Sequence, residues 1–114
     1  MYALQIKHEL VKLASKKRAV ASAWFFKTGP RQYGFGDKFM GVSVPSQRQI
    51  AQKFHDLSFV EIEILLQSEI HEERLVALLV LVEQFKLADE KFRKEIYTFY
   101  LDNIKRVNNW DLVD

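Results

Sequence analysis

The sequence predicts an all-α fold, an α-α superhelix built from antiparallel helix pairs. Three observations predict it. Apolar residues recur at helical spacing through most of the chain. No segment alternates apolar and polar residues for long enough to make a convincing strand. All four glycines and both prolines fall between residues 29 and 45, so the rest of the chain lacks strong helix breakers.

Each element can be justified in order. Residues 2–14 read as an amphipathic helix, with Tyr2, Leu4, Ile6, Leu10, Val11 and Leu13 mostly at helical intervals. Ser15 is a break or cap. Residues 16–27 make a second helix, lysine-rich at its start and aromatic at its end (Trp24, Phe25, Phe26), stopped by Gly29-Pro30. Residues 29–44 form the one long irregular stretch. Loops of this length in small domains tend to be functional. This one mixes aromatics (Tyr33, Phe35, Phe39) with cations (Arg31, Lys38), and its glycines permit close backbone approach to a ligand or phosphate. The competing reading is that Phe35, Phe39 and Val42 simply pin the loop to the core.

Pro45 suits the first turn of the next helix, residues 45–54, with Ser43 as its cap and Arg48 on its polar side. Ser58 with Glu61 forms a capping box ahead of Val60, Ile62, Ile64, Leu65 and Leu66. Residues 69–71 are a short connection. Residues 71–87 are the most apolar helix, expected to be buried on more than one side. Its first turn, Glu72-Glu73-Arg74, reads as a charged helix start, where acids suit the dipole. Asp89 caps a helix with Phe92, Ile96, Phe99, Tyr100 and Ile104 on one stripe. Asn108 or Asn109 starts a last helix, with Asp111 in its first turn.

Short links make the helices antiparallel pairs, beginning near residues 45, 71 and 109. This spacing is irregular but overlaps the roughly 40-residue period of HEAT- or ARM-type helical repeats. Strict self-similarity is absent, so the solenoid reading rests on helix order. Repeat stacks need neighbours over their end faces. The last helix stops without a C-terminal cap, so residues 1–114 are expected to be a single α-helical domain forming the N-terminal half of a longer protein.

Composition bounds the chemistry. The chain has 114 residues, 48% apolar and 28% charged, and no cysteine, which excludes disulfides and thiolate metal sites. No signal-type apolar run opens it, and none approaches the roughly 20 residues that span a bilayer. The expected location is cytoplasmic, without membrane contact. Net charge is +2 but uneven. Residues 1–53 hold ten Lys/Arg against two acids, whereas residues 54–114 hold seven against thirteen. A basic half suggests an anionic partner, nucleic acid first among candidates. A solvated basic helix surface explains it equally well.

The three histidines, His8, His55 and His71, are far apart, and no metal-ligand spacing is present. No activated nucleophile motif appears either. Trp110 and Asp114, four residues apart, project from one helix face. An aromatic plate beside a carboxylate can hold a flat, cationic ligand. The spacing alone favours a core tryptophan and a solvated acid.

A family likeness runs through nearly the whole chain. The stretch 24–29, then Tyr33-Gly34-Phe35-Gly36-Asp37-Lys38-Phe39-Met40-Gly41-Val42 with Pro45 and Arg48, resembles the N-terminal part of the AlkD-like DNA alkylation repair proteins. So do His71-Glu72-Glu73-Arg74-Leu75 and the ending Asn108-Asn109-Trp110-Asp111-Leu112-Val113-Asp114. The resemblance implies a HEAT-like solenoid with a concave, basic face for double-stranded DNA carrying alkylated bases. It implies a glycosylase that removes N3- or N7-alkylated purines without cofactor or metal. It maps a catalytic pair onto Trp110 and Asp114, and expects a further Arg and Trp from later repeats. Loop position and charge, rather than a matched family site, nominate Lys27, Arg31, Lys38 and Arg48 for phosphate contacts, with Tyr33 near the lesion. The alternative is a non-catalytic HEAT-like scaffold that binds DNA or a protein. The oligomeric state stays open, with a monomer as the working expectation.

Overall fold

The computed structural model describes residues 1–25 and 38–103, with side chains for 1–21 and 38–103. Six helices follow one another among these: α1 (Ala3–Leu13), α2 (Lys16–Phe25), α3 (Val44–Lys53), α4 (Phe59–Leu66), α5 (His71–Leu87) and α6 (Glu90–Asn103). The all-α reading therefore holds, and the succession of short-linked helices is compatible with a helical repeat superhelix. The helix expected from Asn108 lies outside the described residues.

The boundaries follow from local chemistry. Ser15 starts α2, its Oγ accepting from the Arg18 amide and its carbonyl from the Ala19 amide. The Ser43 hydroxyl accepts from the Ser46 amide, and Pro45 occupies the first turn of α3. Ser58 does the same for Glu61 at α4. The Asp89 carboxylate accepts from the Phe92 amide at 2.8 Å to open α6.

The capping box is only half formed. Glu61 does not return to its own helix start; its Oε1 accepts the Ala3 amide, 58 residues away, at 2.8 Å. A first-turn amide of α1 has no partner within its helix, and a carboxylate on α4 satisfies it. Sequence spacing hid this, because the position suits either use.

Helix α5 is the hub. It packs against α1, α3, α4 and α6, and Val76, Ala77, Val80 and Leu81 are buried along it. Ile6 and Leu10 of α1, Ile50 of α3, Ile62, Leu65 and Leu66 of α4 and Ile96 of α6 complete the core with Phe54 and Leu57. Burial is incomplete on one side, where Val82 and Phe85 are exposed.

The end of the irregular stretch is fixed at both flanks. An isolated parallel bridge pairs Lys38 with Ile70: the Lys38 amide donates to the Glu69 carbonyl, and the His71 amide donates to the Lys38 carbonyl at 2.8 Å. Two residues on, the Met40 carbonyl accepts the Ser15 amide at 2.9 Å. Val42 is buried, and Phe39 lies against the His71 ring with centroids 4.8 Å apart. For these two residues the pinning reading holds; Phe35 lies outside the described residues.

Gly41 has φ +81°, and a Cβ there would sit 1.9 Å from the Ser15 carbonyl oxygen and 2.6 Å from the Ala19 nitrogen. Its close approach is to the protein's own backbone, not to a ligand. Gly41→Ala adds left-handed strain to a backbone collision. We expect it to lower stability by about 2–4 kcal/mol, read as a fall in thermal midpoint; an unchanged midpoint would disprove this account of the turn.

Candidate functional site

The His71-Glu72-Glu73-Arg74 quartet opens α5 as expected, but it is not a solvated helix start. All four side chains are buried, at 4%, 2%, 3% and 2% exposure. Glutamate and arginine are almost never fully buried unless partnered. Glu72 shows how this is managed. Its Oε1 accepts the Met40 amide at 3.0 Å, and its Oε2 accepts the Gly41 and Val42 amides at 2.8 and 3.3 Å. Three consecutive backbone donors thus close around one carboxylate, which also sits at the positive end of the α5 dipole.

The neighbours continue the network. Gln47 Nε2 of α3, buried, donates to the Val42 carbonyl at 2.9 Å. Arg74 Nη1 donates to the Ser68 carbonyl at 2.8 Å, closing the turn that leads into α5. Glu73 faces Lys7 of α1, Nζ to Oε1 3.6 Å. Charged groups of α5 therefore tie down the loop, the preceding turn and α1 together.

Among the described residues, no group of three His, Asp or Glu side chains could hold a metal ion. No described helix is long and apolar enough to cross a membrane.

The nominated site residues divide sharply. Lys38 and Arg48 are described, and both are exposed. Lys38 Nζ lies 3.0 Å from Glu69 Oε2, an open ion pair with both side chains about 70% exposed. Such a pair contributes about 0–1 kcal/mol and exchanges readily for another anion. Lys27, Arg31, Tyr33, Trp110 and Asp114 lie outside the described residues.

A further cationic cluster was legible as a lysine-rich helix start but was not among the nominated phosphate contacts. Lys16, Lys17 and Arg18, consecutive and exposed, occupy the first turn of α2, with exposed Lys12 just before them. The helix dipole favours anions, not cations, at that end. The sequence places them at a helix start, and the cap at Ser15 bears this out. By contrast, Lys53 pairs with Glu9, Nζ to Oε1 2.6 Å. Its hydrogen bond and charge, with a smaller contribution from Lys12, hold the Glu9 carboxyl below the ordinary carboxylate range. That contribution to stability is present above the ordinary carboxylate pKa and is lost as pH falls through the lowered one.

The succession of helices is compatible with a helical repeat superhelix, and its first half is strongly basic. The family is narrower: the DNA alkylation repair enzyme model matches residues 6–114, and the chain belongs to that family. No curated protein matches the chain, and no solved structure does.

The Glu72 cage makes a direct prediction. Glu72→Gln keeps the shape but turns one acceptor into a donor facing backbone amides. We expect a loss of about 2–4 kcal/mol in denaturant unfolding; unchanged stability would show that the amides do not depend on the carboxylate.

Proposed function

We propose that the protein is a DNA glycosylase that excises N3- or N7-alkylated purines from duplex DNA. The observation that carries this reading is the family match over residues 6–114, which includes Trp110 and Asp114. The exposed cations of α1 and α2 support a phosphate-binding role.

The chemistry asks little of the protein beyond placed charge. Alkylation at N3 or N7 leaves the purine cationic and weakens its glycosidic bond. As the C1′–N bond breaks, its electron pair leaves with the base and neutralises it. The sugar becomes oxocarbenium-like, as in glycoside hydrolysis. Water then adds to C1′ and loses a proton. In this reading the Asp114 carboxylate stabilises the sugar cation and orients the water. Trp110 offers an aromatic face to the sugar or base. No covalent intermediate on a lysine is needed. Lys27, Arg31, Lys38 and Arg48 hold phosphates, Tyr33 lies near the lesion, and Lys16, Lys17 and Arg18 extend the phosphate track.

Two measurements test this. On methylated duplex DNA, Asp114→Asn in the full-length protein is expected to slow excision by about a hundredfold or more; normal excision would sink the catalytic assignment and leave a DNA-binding scaffold. Replacing Lys16, Lys17 and Arg18 with alanine is expected to weaken affinity for any duplex and to reduce the salt slope by up to about three. An unchanged slope would remove α2 from the interface.

A further inference from the structure

A trough runs along the side of the molecule where α4 meets α6. It joins two hollows of about 590 and 380 Å³ that share Phe59 and Glu95. Its floor is an aromatic row. Phe59 stacks on Phe99 with centroids 4.5 Å apart and on Phe92 at 5.9 Å, the rings nearly parallel. Val60 and Leu87, 70% and 73% exposed, form apolar walls at one end. Gln84 of α5 lines that end, buried, with Nε2 donating to the Leu57 carbonyl.

The rim is acidic. Asp56, Glu95 and Asp102 stand along it, all exposed, against Lys94 and His55. Asp56 leans on His55, Oδ1 to Nε2 3.4 Å. Glu95 and Asp102 have no ion-pair partner among the described residues. A polyanion is repelled here, so this surface stands apart from any phosphate track.

We propose that the trough docks a linear segment of a partner protein, one carrying arginine beside an aliphatic or aromatic anchor. Charge complementarity selects a cationic occupant, and the aromatic floor selects the kind of cation. A guanidinium stacks on ring faces and keeps its fork of donors for the carboxylates at the rim. The same chain already uses this chemistry nearby, where the Arg93 guanidinium lies 4.7 Å from the Phe85 ring centroid. The apolar anchor fills the end between Val60 and Leu87, where contiguous exposed apolar surface marks an interaction site. The proposal does not depend on the glycosylase reading.

Fluorescence anisotropy with two labelled octapeptides tests it, one built from Leu, Phe and Arg, the other with Glu replacing each Arg. The arginine peptide is expected to bind at least about tenfold more tightly. The double variant E95K/D102K, altered only at exposed positions, is expected to erase that preference. Its thermal midpoint and affinity for duplex DNA should not fall. Equal binding of the two peptides, or an unchanged preference in the double variant, overturns the proposal. So does self-association in sedimentation that the double variant abolishes, which assigns the trough to a second copy of the chain.

Discussion

The described structure depends on one buried anion satisfied without a cation. Glu72 enters the interior at the first turn of α5, and the amides of residues 40, 41 and 42 close around it. An ionised group in an apolar interior is costly unless fully hydrogen-bonded. The chain must therefore deliver a stretch of backbone, in the right conformation, to the start of α5. That requirement explains the surroundings. Gly41 supplies the left-handed turn. Ser15 and Gln47 take the neighbouring backbone groups. The Lys38–Ile70 bridge sets the register. Loop, α1–α2 corner, α3 and α5 are held at one point.

Around that point the chain keeps its charges separated by use. The buried acids Glu72 and Glu73 and the half-buried Glu61 serve as clamps on backbone or on α1. Acids outside line the α4–α6 trough. Outside, Lys12, Lys16, Lys17, Arg18 and Arg48 are exposed, whereas Lys53 of α3 is paired with Glu9. Under the proposed function such a division keeps a polyanion from competing for the groups that hold the helices together.

Much of this was legible in the residues. Caps at Ser43, Ser58 and Asp89 are short-range signals, and the helices start where they indicate. The apolar run of residues 75–82 marked α5 as the buried hub for the same reason. Long-range uses of local-looking residues were not legible. Glu61 reads as half of a capping box, yet it serves α1. The quartet 71–74 reads as a wet helix start, because periodicity treats charge as a mark of exposure; its burial rests on partners distant in sequence or on the backbone, the loop amides for Glu72, Lys7 for Glu73 and the Ser68 carbonyl for Arg74. Gly41 looked like room for a ligand, and its neighbour is a carbonyl of the chain itself. Of the nominated site residues only Lys38 and Arg48 are described, so Trp110 and Asp114 rest on the family likeness and on spacing.

The anion at the centre has a consequence for how the molecule responds to its medium. Mobile ions screen exposed charges over about 8 Å at physiological ionic strength, whereas buried contacts are screened far less. The Glu72 cage is neutral amide against carboxylate and lies out of reach of solvent. Raising salt therefore weakens whatever the outer lysines and arginines grip while leaving the internal fastening untouched. Under the proposed function, grip and fold answer to different variables, and salt that releases the duplex leaves the fastening at Glu72 in place.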